Sequence, residues 1–179
     1  MTLETCEVKT PLGALTLYAE GDRLVGLEFS DRGKGKAALR RRLERAYGEF
    51  DEKRVKDPAG AATRLRRYFS GDTRALDEQP VRGHGTPFQQ QVWKALRAIP
   101  AGTTRSYGEL AKSIGRPSSV RAVGAANGAN PVAIFVPCHR IVASDGSPHG
   151  YGGGIQRKEW LLEHEGARSK EAKPRAIRS

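Results

Sequence analysis

The chain has 179 residues, of which 31 are Lys or Arg and 20 are Asp or Glu, so its formal net charge is +11 at pH 7. Apolar residues make up 37% of it, enough for one domain or two small ones but too dispersed for a membrane span. Residues 1–7 lack the basic and then apolar pattern of a signal peptide, and two cysteines, Cys6 and Cys138, do not make a disulfide framework. We therefore expect no membrane association and a reducing, cytoplasmic location.

The positive charge is concentrated in the second half of the chain. Residues 1–83 carry 17 basic and 14 acidic side chains, whereas residues 84–158 carry 9 basic and 2 acidic ones. Residues 167–179 form a basic tail that we predict to be disordered. Such a balance favours phosphate-rich partners, although most basic faces are only solvated.

The first half of the chain predicts a small α/β unit. Residues 15–19 and 24–29 are apolar, and the turn between them is typical of a β-hairpin with one buried face. Two helices are expected over residues 39–47 and 57–69, the second opened by a proline. Residues 79–85 are rich in turn formers and show no periodicity, so we place a domain boundary there and divide the chain into 1–83 and 84–166. The apolar residues at helical spacing are Leu39, Leu43 and Tyr47 in the first helix and Leu65, Tyr68 and Phe69 in the second.

The second half begins with two explicit helix starts. Thr86 and Gln89 form the pattern of a capping box with Pro87 between them, and Ser106 and Glu109 repeat that pattern. A third helix is expected over residues 117–128. The last two helices resemble a helix-turn-helix, in which the second helix meets DNA, although that signal alone is weak.

The third helix has an unusual composition. Residues 120–126 are almost all small, including Ala122 and Gly124, and they surround a single arginine, Arg121. Small side chains let a helix backbone approach a partner closely. This composition strengthens the prediction that the helix lies against DNA.

The strongest chemical signal is Pro137-Cys138-His139-Arg140, which follows the apolar run 132–136. Because proline has no backbone N–H to donate to a neighbouring strand, we expect it to end a strand there. Cys138 would then lie just beyond the strand end, where it is accessible. A thiol attacks as a thiolate, and at an ordinary pKa of about 8.5 little of it is ionised at neutral pH. His139 and Arg140 are placed to help ionise it. The alternative is a buried structural cysteine.

Four short sequence motifs lie around this cysteine. They are Asn130-Pro131, Pro137-Cys138-His139-Arg140, Gly150-Tyr151-Gly152-Gly153 and Lys158-Glu159-Trp160-Leu161-Leu162. In this order they closely resemble the O6-alkylguanine-DNA alkyltransferases, also called methylated-DNA–protein-cysteine methyltransferases. The resemblance is specific over residues 86–166 and only general over residues 1–80. It implies an α/β N-terminal domain, with a small antiparallel sheet and helices in a ribonuclease-H-like arrangement, and a mainly helical, winged helix-turn-helix C-terminal domain.

The resemblance also implies how DNA is bound. The third helix would lie in the minor groove of double-stranded DNA that contains alkylated bases, with Ala122 and Gly124 on its contact surface. Arg121 matches the side chain that enters the base stack when the target nucleotide rotates out. Tyr107 matches the tyrosine that presses on the target phosphate. A base inside a duplex cannot meet a protein thiol, so extrusion is a physical requirement.

The same resemblance assigns the chemistry. Cys138 would take the alkyl group from O6 of guanine as a thioether that cannot revert, so each molecule would act once without a cofactor. O4 of thymine is left open as a second source of the alkyl group. Tyr151 would donate to the guanine ring nitrogen, and the backbone N–H of Gly152 would approach O6. His139 would act through a water to Glu165 on the last helix, which Gly166 would end. Asn130 would hold the turn before the cysteine strand.

Two departures from the family pattern stand out. Many relatives have serine after the loop tyrosine, whereas this chain has Gly152, so a side-chain hydroxyl contact to O6 is lost. Some relatives hold a structural zinc in the first domain, but Cys6 is the only cysteine in that half and His84 is its nearest histidine. We therefore predict no metal site. We expect a monomer, and cooperative assembly on DNA is left open.

Two other classes of function compete with this reading. Alkyltransferase-like proteins bind the same lesions without a reactive cysteine, and Cys138 argues against that class. A thiol hydrolase also needs a Cys and a His, but its histidine usually lies far from the cysteine in sequence, not beside it as His139 does.

Overall fold

The computed structural model of the chain describes residues 1–31, 33–148 and 150–167. Most of the tail that we predict to be disordered, from residue 168 onward, lies outside the described residues. The strands are β1 (Thr2–Thr10), β2 (Gly13–Glu20), β3 (Arg23–Phe29), β4 (Asp51–Arg54), β5 (Arg105–Ser106) and β6 (Ile141–Val142). The helices are α1 (Gly33–Tyr47), α2 (Ala61–Phe69), α3 (Pro87–Arg97), α4 (Tyr107–Ser113), α5 (Val120–Gly128) and α6 (Ile155–His164), with 3₁₀ turns at Pro58–Gly60 and Cys138–Arg140.

A four-stranded sheet forms the first half, in the order β3-β2-β1-β4. The predicted hairpin is confirmed: β2 and β3 are antiparallel, and Gly21 at their turn has a positive φ of 56°. The expectation of a purely antiparallel sheet is wrong, because β4 pairs with β1 in parallel. A parallel neighbour needs a crossover connection, which α1 provides between β3 and β4.

Both faces of this sheet are covered, which corrects the expectation of one buried face. Tyr18 and Val25 point to one side and pack with Leu39 and Leu43 of α1. Leu17 and other alternate residues of β2 and β3 point to the opposite side, where α2 and the second half of the chain lie. That second cluster is continuous through both halves, so the apolar core joins them.

The helix starts predicted in the second half are confirmed. Thr86 caps α3 and Ser106 caps α4, each in a reciprocal capping box with the Gln89 or Glu109 side chain. The third helix begins at Val120, not at residue 117 as predicted, because residues 115–119 form the turn between α4 and α5. Two helices joined by a short turn are therefore present, and the winged helix-turn-helix motif stays a prediction.

The outer edge of β3 positions the segment that leads to the cysteine. Leu24 exchanges backbone hydrogen bonds with the linker, accepting from Arg82 and donating to Pro80. Farther along the same edge, Leu27 donates to the carbonyl of Pro131 at 3.0 Å. The sheet of the first half thus holds the backbone just before Cys138. None of the described helices is long and apolar enough to cross a membrane.

Removing the cap of α3 should destabilise the protein. In Thr86→Ala the N–H of Gln89 loses its side-chain acceptor, and we expect the free energy of unfolding to fall by about 1 kcal/mol. Urea denaturation measures this change. Ser118→Ala, at an exposed turn position, is the matched control and should change the stability little. Equal stability of both variants would contradict the capping contribution.

Candidate active site

The segment before Cys138 is a tight turn, which overturns the prediction of a strand over residues 132–136. Val136 donates to Val132 and Phe135 donates to Ala133, both at 2.9 Å. Ile134 has a φ of 72°, in the left-handed region that β-branched residues avoid. Its side chain is buried, so packing keeps a backbone conformation that the sequence alone disfavours.

Asn130 holds this turn with both ends of its side-chain amide. Its Nδ2 donates to the Val136 carbonyl at 2.7 Å, and its Oδ1 accepts from the Val132 N–H at 2.9 Å. The turn therefore has backbone polar groups satisfied by the Asn130 side chain as well as by the bridge between Leu27 of β3 and Val132. It delivers the chain to the 3₁₀ turn that starts at Cys138.

Cys138 lies at the inner wall of a cavity of about 450 Å³. Only 7% of the residue is exposed, so solvent or a ligand reaches the sulfur through this cavity. The volume falls within the roughly 300–1,000 Å³ range of small-molecule pockets. Residues that line the cavity include Tyr107, Gly124, Asn130, Cys138, Tyr151 and Gly152.

Behind the cysteine, Glu165 is the centre of a buried polar network. His139 Nε2 lies 2.9 Å from Glu165 Oε2, Arg140 donates to both carboxylate oxygens at 2.9 Å, and the Tyr68 hydroxyl donates to Oε2 at 2.6 Å. His139 and Glu165 thus meet directly, which corrects the expectation of a water between them. Arg140 faces Glu165 and the Ile99 carbonyl, so the hydrogen bonds found for it do not go to the thiol.

Glu165 follows the last residue of α6, and the helix end is built to hold it there. Gly166, with a φ of 78°, donates to Glu163, and Ala167 donates to Leu162. This pair of bonds is the Schellman motif, in which a residue with positive φ closes a helix. The prediction that Gly166 ends the helix is confirmed.

The charges of the network follow from its contacts. Burial disfavours ionisation of Glu165, but His139 and Arg140 outweigh it and hold the pKa of the carboxyl well below its ordinary value. Burial lowers the pKa of His139, against the opposing charge of Glu165. A carboxylate can only accept, so Nε2 of His139 carries the hydrogen and Nδ1 of the neutral ring holds a lone pair. His139 can therefore accept a proton at Nδ1.

The thiol itself lies in a mixed environment. Burial raises the pKa of Cys138, while a hydrogen bond with Asn130 and the charge of Lys158 act in the opposite direction. Lys158 is fully buried and its Nζ donates to the Ile141 carbonyl. A buried cation this close favours a thiolate once the proton has left.

Tyr151 lies on the loop between β6 and α6 and lines the same cavity. Burial raises the pKa of its phenol well above 10, so the hydroxyl keeps its proton. The hydroxyl is buried and has no hydrogen-bond partner among the described residues. A buried donor without a partner costs free energy, and it points to an acceptor that a ligand would bring.

The first half of the chain fixes this loop. Phe29 of β3 meets the Tyr151 ring edge-on, with centroids 6.4 Å apart. Arg157 of α6 lies over the Phe29 ring and donates to the carbonyls of Leu12 and Gly153. The glycine at 153 is required for this packing, because a Cβ there would lie 2.6 Å from Phe29.

Part of the cavity is lined by α5. Gly124 faces the Tyr107 ring, and Gly128 of the same helix also lines the cavity. Arg121 and Ala122 are exposed at the start of α5 and do not line the cavity. Of the predicted DNA-binding residues, Tyr107 and Gly124 thus lie beside the predicted chemical residues.

Comparison with known proteins adds an independent line of evidence. A model of the "6-O-methylguanine DNA methyltransferase, ribonuclease-like domain" matches residues 7–82, and one of the "6-O-methylguanine DNA methyltransferase, DNA binding domain" matches residues 87–167. The chain belongs to the 6-O-methylguanine DNA methyltransferase family. Together the two domain matches also establish the fold class: a ribonuclease-like domain with a small mixed sheet, followed by a helical DNA-binding domain.

Individual relatives agree over nearly the whole chain. A methylated-DNA–protein-cysteine methyltransferase of Shigella flexneri is 44% identical over 163 residues, which are 89% of this chain and 94% of the relative. The enzyme of the same name from Mycobacterium tuberculosis strain H37Rv is 46% identical over 166 residues, 90% of this chain and 92% of the relative. The crystal structure of Mycobacterium tuberculosis OGT in complex with DNA superposes with a TM-score of 0.73 at 40% identity, covering 96% of this chain and 97% of that one.

The resemblance raised the question of a structural zinc in the first domain, and we predicted none. Within residues 1–31, 33–148 and 150–167, no three His, Cys, Asp or Glu side chains cluster closely enough to hold a metal ion. Cys6 approaches the Lys56 carbonyl and His84 the Tyr47 hydroxyl, so the two have separate protein partners. The absence of zinc stays a prediction.

Sequence reasoning missed four parts of this methyltransferase site. Tyr68 and Phe29 lie in the first half, far from the cysteine in sequence, and carry only the signal of apolar periodicity. Arg140 was predicted to help ionise the thiol, whereas it pairs with Glu165. Lys158 was noted only as part of a short motif. The one available signal for its burial was helical spacing, since Leu161 and Leu162 follow it by three and four residues.

Filling the space at Gly153 should displace the loop of this family's site. In Gly153→Ala the new methyl group collides with Phe29 and Tyr151, so Tyr151 moves away from the cavity. We expect single-turnover methyl transfer to slow by about 10- to 100-fold, as small misplacements of reacting groups do. Gly108→Ala is the control, since its Cβ would lie 3.8 Å from the nearest atom. An unchanged rate in Gly153→Ala would show that the loop does not position Tyr151.

Proposed function

We propose that this protein repairs double-stranded DNA by moving the alkyl group of O6-alkylguanine to the sulfur of its own Cys138. One observation carries the proposal: a single cavity is lined by Cys138, by Tyr151 and by residues of α5, the helix that carries Arg121. A lesion recognised by that helix can therefore reach the thiol. The family membership and the DNA complex of the mycobacterial relative support the same function.

DNA would bind along α4 and α5 from the minor-groove side. The exposed side of α5 carries Arg121 and Ala122, and the small Gly124 lies behind them, so the helix backbone can come close to the duplex. Arg121 would fill the space left in the stack by the extruded nucleotide. Tyr107, which borders the cavity, would press on the phosphate of that nucleotide. Contacts of this kind depend on phosphates more than on base sequence.

The extruded base would occupy the cavity. The Tyr151 hydroxyl would donate to a ring nitrogen of the guanine, which supplies the acceptor that this buried donor lacks. The backbone N–H of Gly152 would donate to O6. Both donors would stabilise the negative charge that develops on the base as it departs.

The bond changes are those of an in-line displacement. The Cys138 proton passes through a bridging water to Nδ1 of His139, because Nδ1 has no hydrogen-bond partner among the described residues. The Nε2–H of the same ring is held by the Glu165 carboxylate. The sulfur lone pair then forms a bond to the alkyl carbon as the carbon–O6 bond breaks. The electron pair of that bond remains on guanine, which takes a proton at its ring nitrogen from the Tyr151 hydroxyl and is restored. The proton that left Cys138 then returns to the phenolate, so the protons balance. Asn130 and the charge of Lys158 favour the thiolate in this step.

The product is a thioether, which has no easy route back to a thiol. Each molecule therefore acts once, and no cofactor takes part. We propose that the protein works as a monomer in the cytoplasm, with residues 1–83 and 84–166 as its two domains. O4-alkylthymine is a possible second substrate of the same chemistry.

The first experiment is a mass measurement on the purified protein. After incubation with a duplex that contains one O6-methylguanine, we expect the protein to gain one methyl group, located on the peptide with Cys138. The peptide with Cys6 should stay unmodified and serves as an internal control. Cys138→Ser should bind the same duplex and gain nothing.

Two outcomes would contradict this function. Binding of the lesion without any mass gain would indicate a lesion-binding protein. Turnover of an ester or peptide with recovery of the free thiol would indicate a thiol hydrolase.

Loss of the stack-filling side chain should affect duplex DNA selectively. In Arg121→Ala we expect transfer from duplex O6-methylguanine to slow by about tenfold or more, because extrusion of a base costs a few kcal/mol. The reaction with the free modified base, which needs no extrusion, should be unchanged. Arg23→Ala removes an exposed arginine of the first half and is the control. Equal losses on both substrates would remove Arg121 from the extrusion step.

A further inference from the structure

We infer that Tyr68, a residue of the first domain, is a positioning residue for the transfer reaction. This inference rests on the proposed function, because it concerns the histidine and carboxylate that serve Cys138. Tyr68 does not line the cavity and cannot touch the base. It acts on the reaction through Glu165.

The geometry places the phenol on the same oxygen that the histidine uses. The Tyr68 hydroxyl donates to Glu165 Oε2 at 2.6 Å, and His139 Nε2 lies 2.9 Å from that oxygen. Tyr68 is fully buried, so water does not compete for this bond. The direction of the His139 ring is therefore set by an oxygen atom that Tyr68 of the first domain and Arg140 hold together.

The chemical nature of this donor matters. Arg140 brings a positive charge to the carboxylate, which partly cancels the charge that stabilises a protonated histidine. A phenol orients the same oxygen without bringing a charge of its own. Burial and the neighbouring Glu165 charge raise the pKa of Tyr68 far above its ordinary value, so the hydroxyl remains a donor throughout the reaction.

A second contact fixes the position of Tyr68 relative to Glu165. The imidazole of His164, at the end of α6, meets the backbone carbonyl of Tyr68 at 2.7 Å, and its ring packs edge-on against the Tyr68 ring. The ends of α2 and α6 are thus joined at two successive residues, His164 and Glu165. This joint assigns the first domain a direct part in the geometry of the thiol's proton acceptor.

The test is single-turnover methyl transfer from duplex O6-methylguanine by Tyr68→Phe. This variant keeps the buried ring and removes only the hydroxyl. We expect the rate constant to fall about tenfold, the equivalent of about 1.4 kcal/mol, while the affinity for DNA stays the same. Tyr18→Phe is the matched control, since Tyr18 is equally buried but packs with α1 on the other side of the sheet.

The amplitude of the reaction separates chemistry from folding. Each competent molecule accepts one methyl group, so the amplitude counts folded protein and the rate constant reports the transfer step. A variant that folds poorly would lose amplitude and keep its rate constant, which would overturn the inference.

Coupling to Glu165 distinguishes positioning from general packing. In a Glu165→Gln background, Tyr68→Phe should change the rate constant by less than about twofold, because the carboxylate through which it acts is gone. Tyr68→Phe should also shift the ¹⁵N resonances of the His139 ring, and Tyr18→Phe should not. Additive rate losses, or an unchanged rate in Tyr68→Phe, would show that the hydroxyl has no positioning role. A wild-type protein that transfers nothing would instead refute the proposed function.

Discussion

The active site depends on one buried carboxylate. Glu165 accepts hydrogen bonds from a tyrosine of the first domain, from the histidine beside the nucleophile and, at both oxygens, from Arg140. A buried charge is tolerated only when its neighbours supply such bonds. Loss of one partner leaves the remaining buried groups without a hydrogen bond, which costs free energy. Three distant parts of the chain are therefore fixed relative to one another: the end of α2, the turn after Cys138 and the end of α6.

Contacts made by β3 and Asn130 position the thiol. The edge of β3 holds the backbone before Cys138, and Asn130 closes the strained turn around Ile134. Phe29, at the end of the same strand, supports the loop of Tyr151. The sheet thus supports both the segment that leads to Cys138 and the loop that carries Tyr151.

The cationic side chains of the site are of two kinds, buried and exposed. Lys158 and Arg140 are buried in the site, whereas Arg121 is exposed on α5. Lys158 lies in a medium of low dielectric constant and favours the thiolate, while Arg140 pairs with Glu165. Arg121 is solvated, so its proposed contribution to DNA binding would respond to salt, whereas the contribution of the buried Lys158 would not.

The sequence by itself determined the features that depend on neighbouring residues. The two capping boxes, the hairpin at Gly21 and the helix end at Gly166 follow from short-range hydrogen bonding, and the sequence words around Cys138 were specific enough to indicate the family. Only the tertiary structure decided the features that depend on burial. Residues 132–136 have strand propensity yet form a turn, because packing of Ile134 and the amide of Asn130 outweigh a local preference. The partners of Glu165 lie 25, 26 and 97 residues away in the chain, and no local pattern records such distances.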